Sequence, residues 1–179
     1  MYKKYFFLLS VCFANIAYSQ KDTVLFPASF QGIWKGKLQW MMPGKATQEF
    51  DMQLHILPTD TLGVYSWKII YGDQQQDSRP YFLKAIDSSK GKWVIDENNG
   101  IVLSSYVMGN CVLGAFTVMG NTIADSYCLE NNSIKVSFTS IRLGESSSTG
   151  LGTDDSPAVV NYRVGSYQTG TLFKLTNAN

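Results

Sequence analysis

The feature that most constrains this chain is a two-residue alternation of apolar and polar side chains, broken about every 8 to 12 residues by turn-forming residues. Period two is the period of a β-strand, whose successive side chains point to opposite faces, and the 3.6-residue period of a helix is nearly absent. The clearest run is TQEFDMQLHILP, where Phe50, Met52, Leu54 and Ile56 share one face and Glu49, Asp51, Gln53 and His55 the other. One face of such a strand is buried and the other is wet.

Between Trp93 and Ser140 the turns can be counted. Val-Met-Gly-Asn occurs at Val107 to Asn110 and again at Val118 to Asn121, and Gly-Asn is a good two-residue hairpin loop. Two tight turns of that kind set Val107 opposite Val112, Ser105 opposite Gly114, Leu103 opposite Phe116 and Ile101 opposite Val118. The next hairpin then sets Val112 beside Leu129, Gly114 beside Tyr127, Phe116 beside Asp125 and Val118 beside Ile123. An Asn131-Asn132 loop places Leu129 by Ile134, Tyr127 by Val136 and Asp125 by Phe138. One face of four strands is then apolar, while Ser104, Ala115, Thr117, Ala124, Ser126, Lys135, Ser137 and Thr139 collect on the other. Upstream, a three-residue loop at Asn98-Asn99-Gly100 puts Trp93 and Ile95 on the apolar side, whereas a two-residue loop would bury Lys92 and Asp96.

The pattern predicts an all-β, antiparallel up-and-down meander of nine or ten strands at roughly 32–41, 47–57, 61–71, 80–87, 91–97, 101–108, 111–119, 122–130, 133–142 and 168–176. A long meander with one apolar face has to close or fold over, because an open sheet leaves a wet core and reactive edges, and a barrel closes it most directly. The Gly/Ser-rich stretch GESSSTGLGTDDSP at 144–157 is expected to be a mobile loop before the last strand.

The first 19 residues read as a secretory leader: Lys3 and Lys4, an apolar run from Tyr5 to Ala17, and small residues at Ala17 and Ser19 before a cleavage expected at Gln20. That run is too short to span a bilayer, and no later segment approaches the roughly 20 apolar residues required. The expectation is export to the periplasm, the cell surface or the medium, with residues 20–179 forming one domain. Removing Lys3 and Lys4 from the 15 basic side chains leaves 13 against 14 acidic ones. Near-neutral charge without a basic cluster excludes a nucleic-acid partner, whose phosphates are held mainly by Lys and Arg.

Gly32-Ile33-Trp34, followed by Gly36 in the first strand of a secreted meander, resembles the calycin group of lipocalins, fatty-acid-binding proteins and their bacterial lipocalin-like relatives. The resemblance implies a barrel in which Trp34 closes one end and a basic side chain from the last strand, Arg163 or Lys174, packs across its indole. It also implies an interior that holds a small apolar or amphipathic molecule.

Asp125 is the most informative polar residue, because the counted register turns it inward between Phe116 and Phe138, near Tyr127 and Ser105. A carboxylate in apolar surroundings is costly unless paired, and its pKa rises if it is not. It reads either as a polar anchor for a ligand, with Tyr127, Ser105, Phe116, Phe138 and Trp93 around it, or as a strand residue bonded to its neighbours. Together with Tyr127 it is also the one pair that could do acid-base chemistry, although no enzyme is expected. His55, the sole histidine, alternates outward, no metal-ligand spacing or phosphate loop occurs, and no cofactor is expected. Cys111 and Cys128 fall on one outward face, offset diagonally; direct opposition would need a two-residue slip in the Met119-Gly120-Asn121 turn, so a disulfide is permitted and not required. The alternative to ligand binding is a solid barrel whose loops, 144–157 above all, contact a protein or glycan.

Overall fold

The computed structural model describes residues 25–72 and 77–176; the leader expected over 1–19, and its cleavage point, lie outside the described residues. Ten strands follow one another: β1 (Gly32–Met41), β2 (Gln48–Pro58), β3 (Val64–Tyr71), β4 (Asp77–Asp87), β5 (Lys92–Asp96), β6 (Val102–Met108), β7 (Cys111–Val118), β8 (Asn121–Glu130), β9 (Ser133–Thr149) and β10 (Val159–Lys174). Each pairs antiparallel with its neighbours in sequence, and β10 returns to β1, so the sheet is a closed up-and-down barrel. Interior width grows with strand number, and eight strands already enclose about as much as side chains can fill. Ten strands therefore leave room that large residues must occupy or that stays open.

The counted register holds at three of the four turns and slips at one. Val107 faces Val112 and Ser105 faces Gly114 across Gly109-Asn110, and Leu129, Tyr127 and Asp125 face Ile134, Val136 and Phe138. Glu97 and Ile101 close the Asn98-Asn99-Gly100 loop, with Asn98 and Gly100 at positive φ, and Asp96 lies on the outer face in an ion pair with Lys84 at 2.6 Å. The second Val-Met-Gly-Asn copy turns differently. Its loop is Met119-Gly120, both at positive φ as a type I′ turn demands, and Asn121 pairs with Val118. Relative to the sequence expectation β8 is displaced by two residues along β7, so Val112 faces Tyr127, Gly114 faces Asp125 and Phe116 faces Ile123. A two-residue slip preserves which side chains point inward. It also sets Cys111 directly opposite Cys128, and the two are joined in a disulfide.

A second departure lies between β6 and β7, which pair only over Ser105 to Met108 and Cys111 to Gly114. The contacts expected between Leu103 and Phe116 and between Ile101 and Val118 are not formed, so the two strands part beyond Gly114. The segment 144–157 is a third correction. A run of Ser146, Ser147, Ser148 and Thr149 continues β9 to Thr149, β10 begins at Val159, and Ser146 to Thr149 pair with Tyr162 to Val159. Only the tip, with Gly150 and Gly152 at positive φ, is a turn. Beyond Arg142 β9 has no β8 partner, and before Tyr167 β10 has no β1 partner, so this hairpin is a two-stranded arm extending past the barrel wall.

One end of the barrel is filled. A single 3-10 turn, Ala28–Phe30, brings Phe30 into the core, and Trp34 is buried with its indole N–H donating to the Phe30 carbonyl at 2.8 Å. Phe26 meets Phe30 and Trp93 edge-on, with ring centroids 5.1 and 5.0 Å apart. The basic partner of Trp34 is Lys174, its cross-strand neighbour, whose Nζ stands 5.3 Å from the ring centroid. Arg163 does not take that place: it lies between the two bulges of β10, opposite Arg142, where the strand has left β1. Gly32 makes the Lys174 contact available, since a Cβ there would stand 2.5 Å from Lys174 Cε.

Candidate functional site

The inward parity of each strand carries on past the filled end, and there the side chains change in kind. Behind Trp67 and Ile69 on β3 comes Tyr71; ahead of Leu83 on β4 come Tyr81 and Arg79; ahead of Tyr127 on β8 comes Asp125; behind Phe138 on β9 comes Ser140. With Ser166 and Gln168 of β10 they surround a cavity of about 200 Å³. For scale, a cavity of about 150 Å³ lined by apolar side chains holds a benzene ring. Its apolar walls include Ile95, Leu103, Phe116 and Ile123, and Trp67 and Tyr127 stand edge to face, 5.0 Å between centroids, against its inner end.

Of the residues expected at a site, Asp125, Tyr127, Ser105, Phe116 and Phe138 all line this cavity. Trp93 does not. Its indole points to the filled end, where Phe26 and Tyr65 pack against it, because the chain preceding β1 folds over that end. His55 sits on the outer face, hydrogen-bonded to Gln53 at 3.1 Å, with its pKa lowered by burial and by Lys68. Among the described residues no group of His, Cys, Asp and Glu could hold a metal ion, and no helix is long and apolar enough to cross a membrane.

The Asp125 carboxyl is held where it is by the slip in β7 and β8. Its cross-strand neighbour is Gly114, and a Cβ at that position would stand 2.5 Å from Asp125 Oδ1. Burial raises its pKa to about 6, and the opposing influence is its own backbone N–H. Among the described residues no cationic side chain bears on it. Burial also holds the Tyr127 phenol well above its usual range, followed by the charge of Asp125 and by Tyr71; the Trp67 indole opposes the rise, although its N–H makes no well-formed hydrogen bond. Tyr71 is pushed up to about 12, again first by burial. At the exposed rim, Arg79 is fixed by two bonds to Asp77, at 2.9 and 2.7 Å, and lies 4.9 Å from the Tyr71 ring centroid.

Trp67, Tyr71 and Tyr81, which as aromatic residues on inward parity could either line a pocket or fill the core, line the cavity, whereas Arg79, Glu97 and Gln168 were not anticipated as site residues. Parity could have found Arg79, which stands four residues ahead of buried Leu83, but the expected strand began at Pro80 and left Arg79 outside it.

A stability prediction follows from Asp125. The folded chain holds its proton more tightly than the unfolded chain does, so stability falls as pH rises from about 4 to about 6, and the full loss is present above that. Asp125→Asn removes this loss and should stabilise the protein at pH 7 by on the order of 2 kcal/mol, with little gain at pH 4. Urea unfolding of both proteins at the two pH values measures it; a gap that does not open with pH would refute the assignment.

No protein-family model matches the chain, and no curated protein does. Among the solved structures similar to this chain are the following two. One is a protein of unknown function from the DUF3598 family of Nostoc punctiforme, 9% identical with a TM-score of 0.60, matched over 81% of this chain and 47% of its own length. The chain thus spans about half the length of that relative. The other is Rv2717c of M. tuberculosis, 11% identical with a TM-score of 0.49, over 82% of this chain and 92% of its own. At such identities the likeness is one of fold.

Proposed function

We propose that this chain is an exported, lipocalin-like member of the calycin group that binds a small apolar or amphipathic molecule inside its barrel, without cofactor or catalysis. The observation carrying this reading is the cavity itself: aromatic and aliphatic walls around the Asp125 carboxyl, on which no cationic side chain among the described residues bears. Ligand sites are concave, mostly apolar and furnished with a few convergent polar groups. The Gly32, Trp34 and Lys174 arrangement at the filled end supports the calycin resemblance.

Native mass spectrometry of the full chain purified from its own host tests both parts. The expected spectrum has a chain beginning at Gln20 plus the mass of a small organic molecule, released on collision and absent from Ser140→Trp, which fills the cavity. A bare mass in wild-type protein and variant alike would overturn the binding reading.

A second reading, contact with a protein or glycan partner, draws on the β9–β10 arm. Leu151, Val159, Val160 and Tyr162 are exposed along it, and a lone two-stranded ribbon is marginal in water. Deleting residues 146–160 would then abolish partner capture and leave the cavity ligand in place.

A further inference from the structure

Resting on the binding reading above, we propose that the cavity is selective for a small protonated amine carried on a single ring or short apolar chain, with Asp125 as its counter-ion. The first ground is charge. Among the described residues two carboxylates, Asp125 and Glu97, line the cavity against one cation, Arg79, and that cation is already held at two points by the carboxylate of Asp77. An anionic ligand would bring like charge to Asp125 and would have to draw Arg79 away from its partner. An ammonium group instead supplies the N–H donors and the charge that the protein does not.

The second ground is the wall. Trp67, Tyr71, Tyr81, Phe116, Tyr127 and Phe138 present aromatic rings around the carboxyl. Tyr127 stands edge to face against both Trp67 and Phe138, with interplanar angles of 84° and 86°. Aromatic faces carry negative potential, and cages of aromatic side chains recognise alkylated ammonium groups for that reason. The third ground is size: a cavity of about 200 Å³ accepts one ring with a short tail and excludes a long acyl chain.

The groups that could compete for Asp125 are few. Among the described residues Tyr71 of β3, Arg79 and Tyr81 of β4, Glu97 beyond β5 and Tyr127 of β8 are the other ionisable side chains facing the cavity, while β6, β7, β9 and β10 contribute Leu103, Ser104, Ser105, Phe116, Phe138, Ser140, Ser166 and Gln168, none ionisable. Tyr71 and Tyr127 stay protonated near neutral pH, so a change in affinity between pH 5 and 7.5 reports chiefly on carboxylates, with Asp125 titrating near 6.

The test is calorimetric titration of the full chain with 2-phenylethylamine, 2-phenylethanol and 3-phenylpropionate, three probes of similar size that differ in charge. At pH 7.5 the amine is expected to bind at least about tenfold more tightly than the alcohol, with the acid weakest, since hydrogen bonds to charged groups exceed neutral ones by that order. At pH 5 the amine should lose about tenfold and the alcohol should not, because the carboxylate, not the amine, takes up the proton. In Asp125→Asn the ratio of amine to alcohol affinity should fall to about one, and the pH arm on wild-type protein stands even if that variant folds poorly. Equal binding of amine and alcohol, tightest binding of the acid, or a preference that survives Asp125→Asn would overturn the proposal while leaving a binding cavity intact. If none of the three binds, the proposal and the binding reading fall together.

Discussion

Trp34→Ala is expected to cost about 3–5 kcal/mol, the loss usual for truncating a fully buried aromatic side chain in a core that cannot collapse around the gap. Trp34 is 1% exposed, and Phe30, Leu54 and Leu172 of the same core are not exposed at all. The indole does three things at once. It fills the end of a ten-stranded barrel, it donates to the Phe30 carbonyl, and it lies under the Lys174 ammonium. The contributions separate by substitution. Trp34→Phe keeps most of the apolar volume and gives up the hydrogen bond, for about 1–2 kcal/mol, and Lys174→Met gives up the cation over the ring, for about 0.5–1 kcal/mol. Urea unfolding gives the totals, and amide exchange at residues 25–31 should rise in Trp34→Ala beyond the global change, because the 3-10 turn loses its anchor. A loss below about 1 kcal/mol with unchanged exchange would mean that Trp34 does not close the barrel.

The second large effect belongs to the seam. β1 and β10 make the one strand pairing that joins the two ends of the chain, and they approach closely at two glycines. Any Cβ on Gly36 would overlap the Thr171 carbonyl oxygen, and any Cβ on Gly170 would overlap that of Lys37. Those obstacles are backbone, which cannot swing aside as a side chain can. Gly170→Val should therefore cost about 3 kcal/mol or more, at the upper end of what overpacking does, and should expose the edges of β1 and β10 to association. Gly144→Ala is the matched control, since nothing stands near that site and its φ is ordinary; its effect should lie within about 0.5 kcal/mol. Thermal unfolding and size-exclusion chromatography read the two variants together. Equal behaviour of Gly170→Val and Gly144→Ala would show that the seam tolerates a wider spacing.

Both predictions bear on β1, where the glycines that weaken a lone strand, Gly32 and Gly36, are what the closed barrel needs. Gly32 gives room to Lys174, and Gly36 lets the last strand lie against the first. The motif was legible as a motif, and its partner was narrowed to Arg163 or Lys174. Choosing between them took the path of β10, whose bulges near Arg163 carry that half of the strand away from β1. Bulges leave little trace in an alternation of Val, Asn, Tyr and Arg.

The inward set of the candidate site was equally legible for Asp125, Tyr127, Ser105, Phe116 and Phe138, because parity survives a two-residue slip. The slip itself was not legible. Val-Met-Gly-Asn appears twice and turns in two ways: Gly109-Asn110 form the first loop and Met119-Gly120 the second. Asn110 reaches across to the Leu129 carbonyl at 2.7 Å, whereas Asn121 bonds back to Met119 within its own turn at 3.2 Å. Trp93 was read as a wall of the cavity for want of knowing which end is filled, and Phe26 decides that from outside the sheet.

By itself, then, the sequence determined the order of the strands and the face that their barrel side chains take, though not the extension of β9 and β10 into the arm, because order and face follow from period two and from local turn chemistry. Tertiary structure alone decided the register of β8 on β7, the disulfide, the parting of β6 from β7, the filled end and the place where Asp125 stands without a partner. These depend on pairings between residues far apart in the chain, and a slip of two residues, which alters nearly every contact, leaves the alternation of the sequence unchanged.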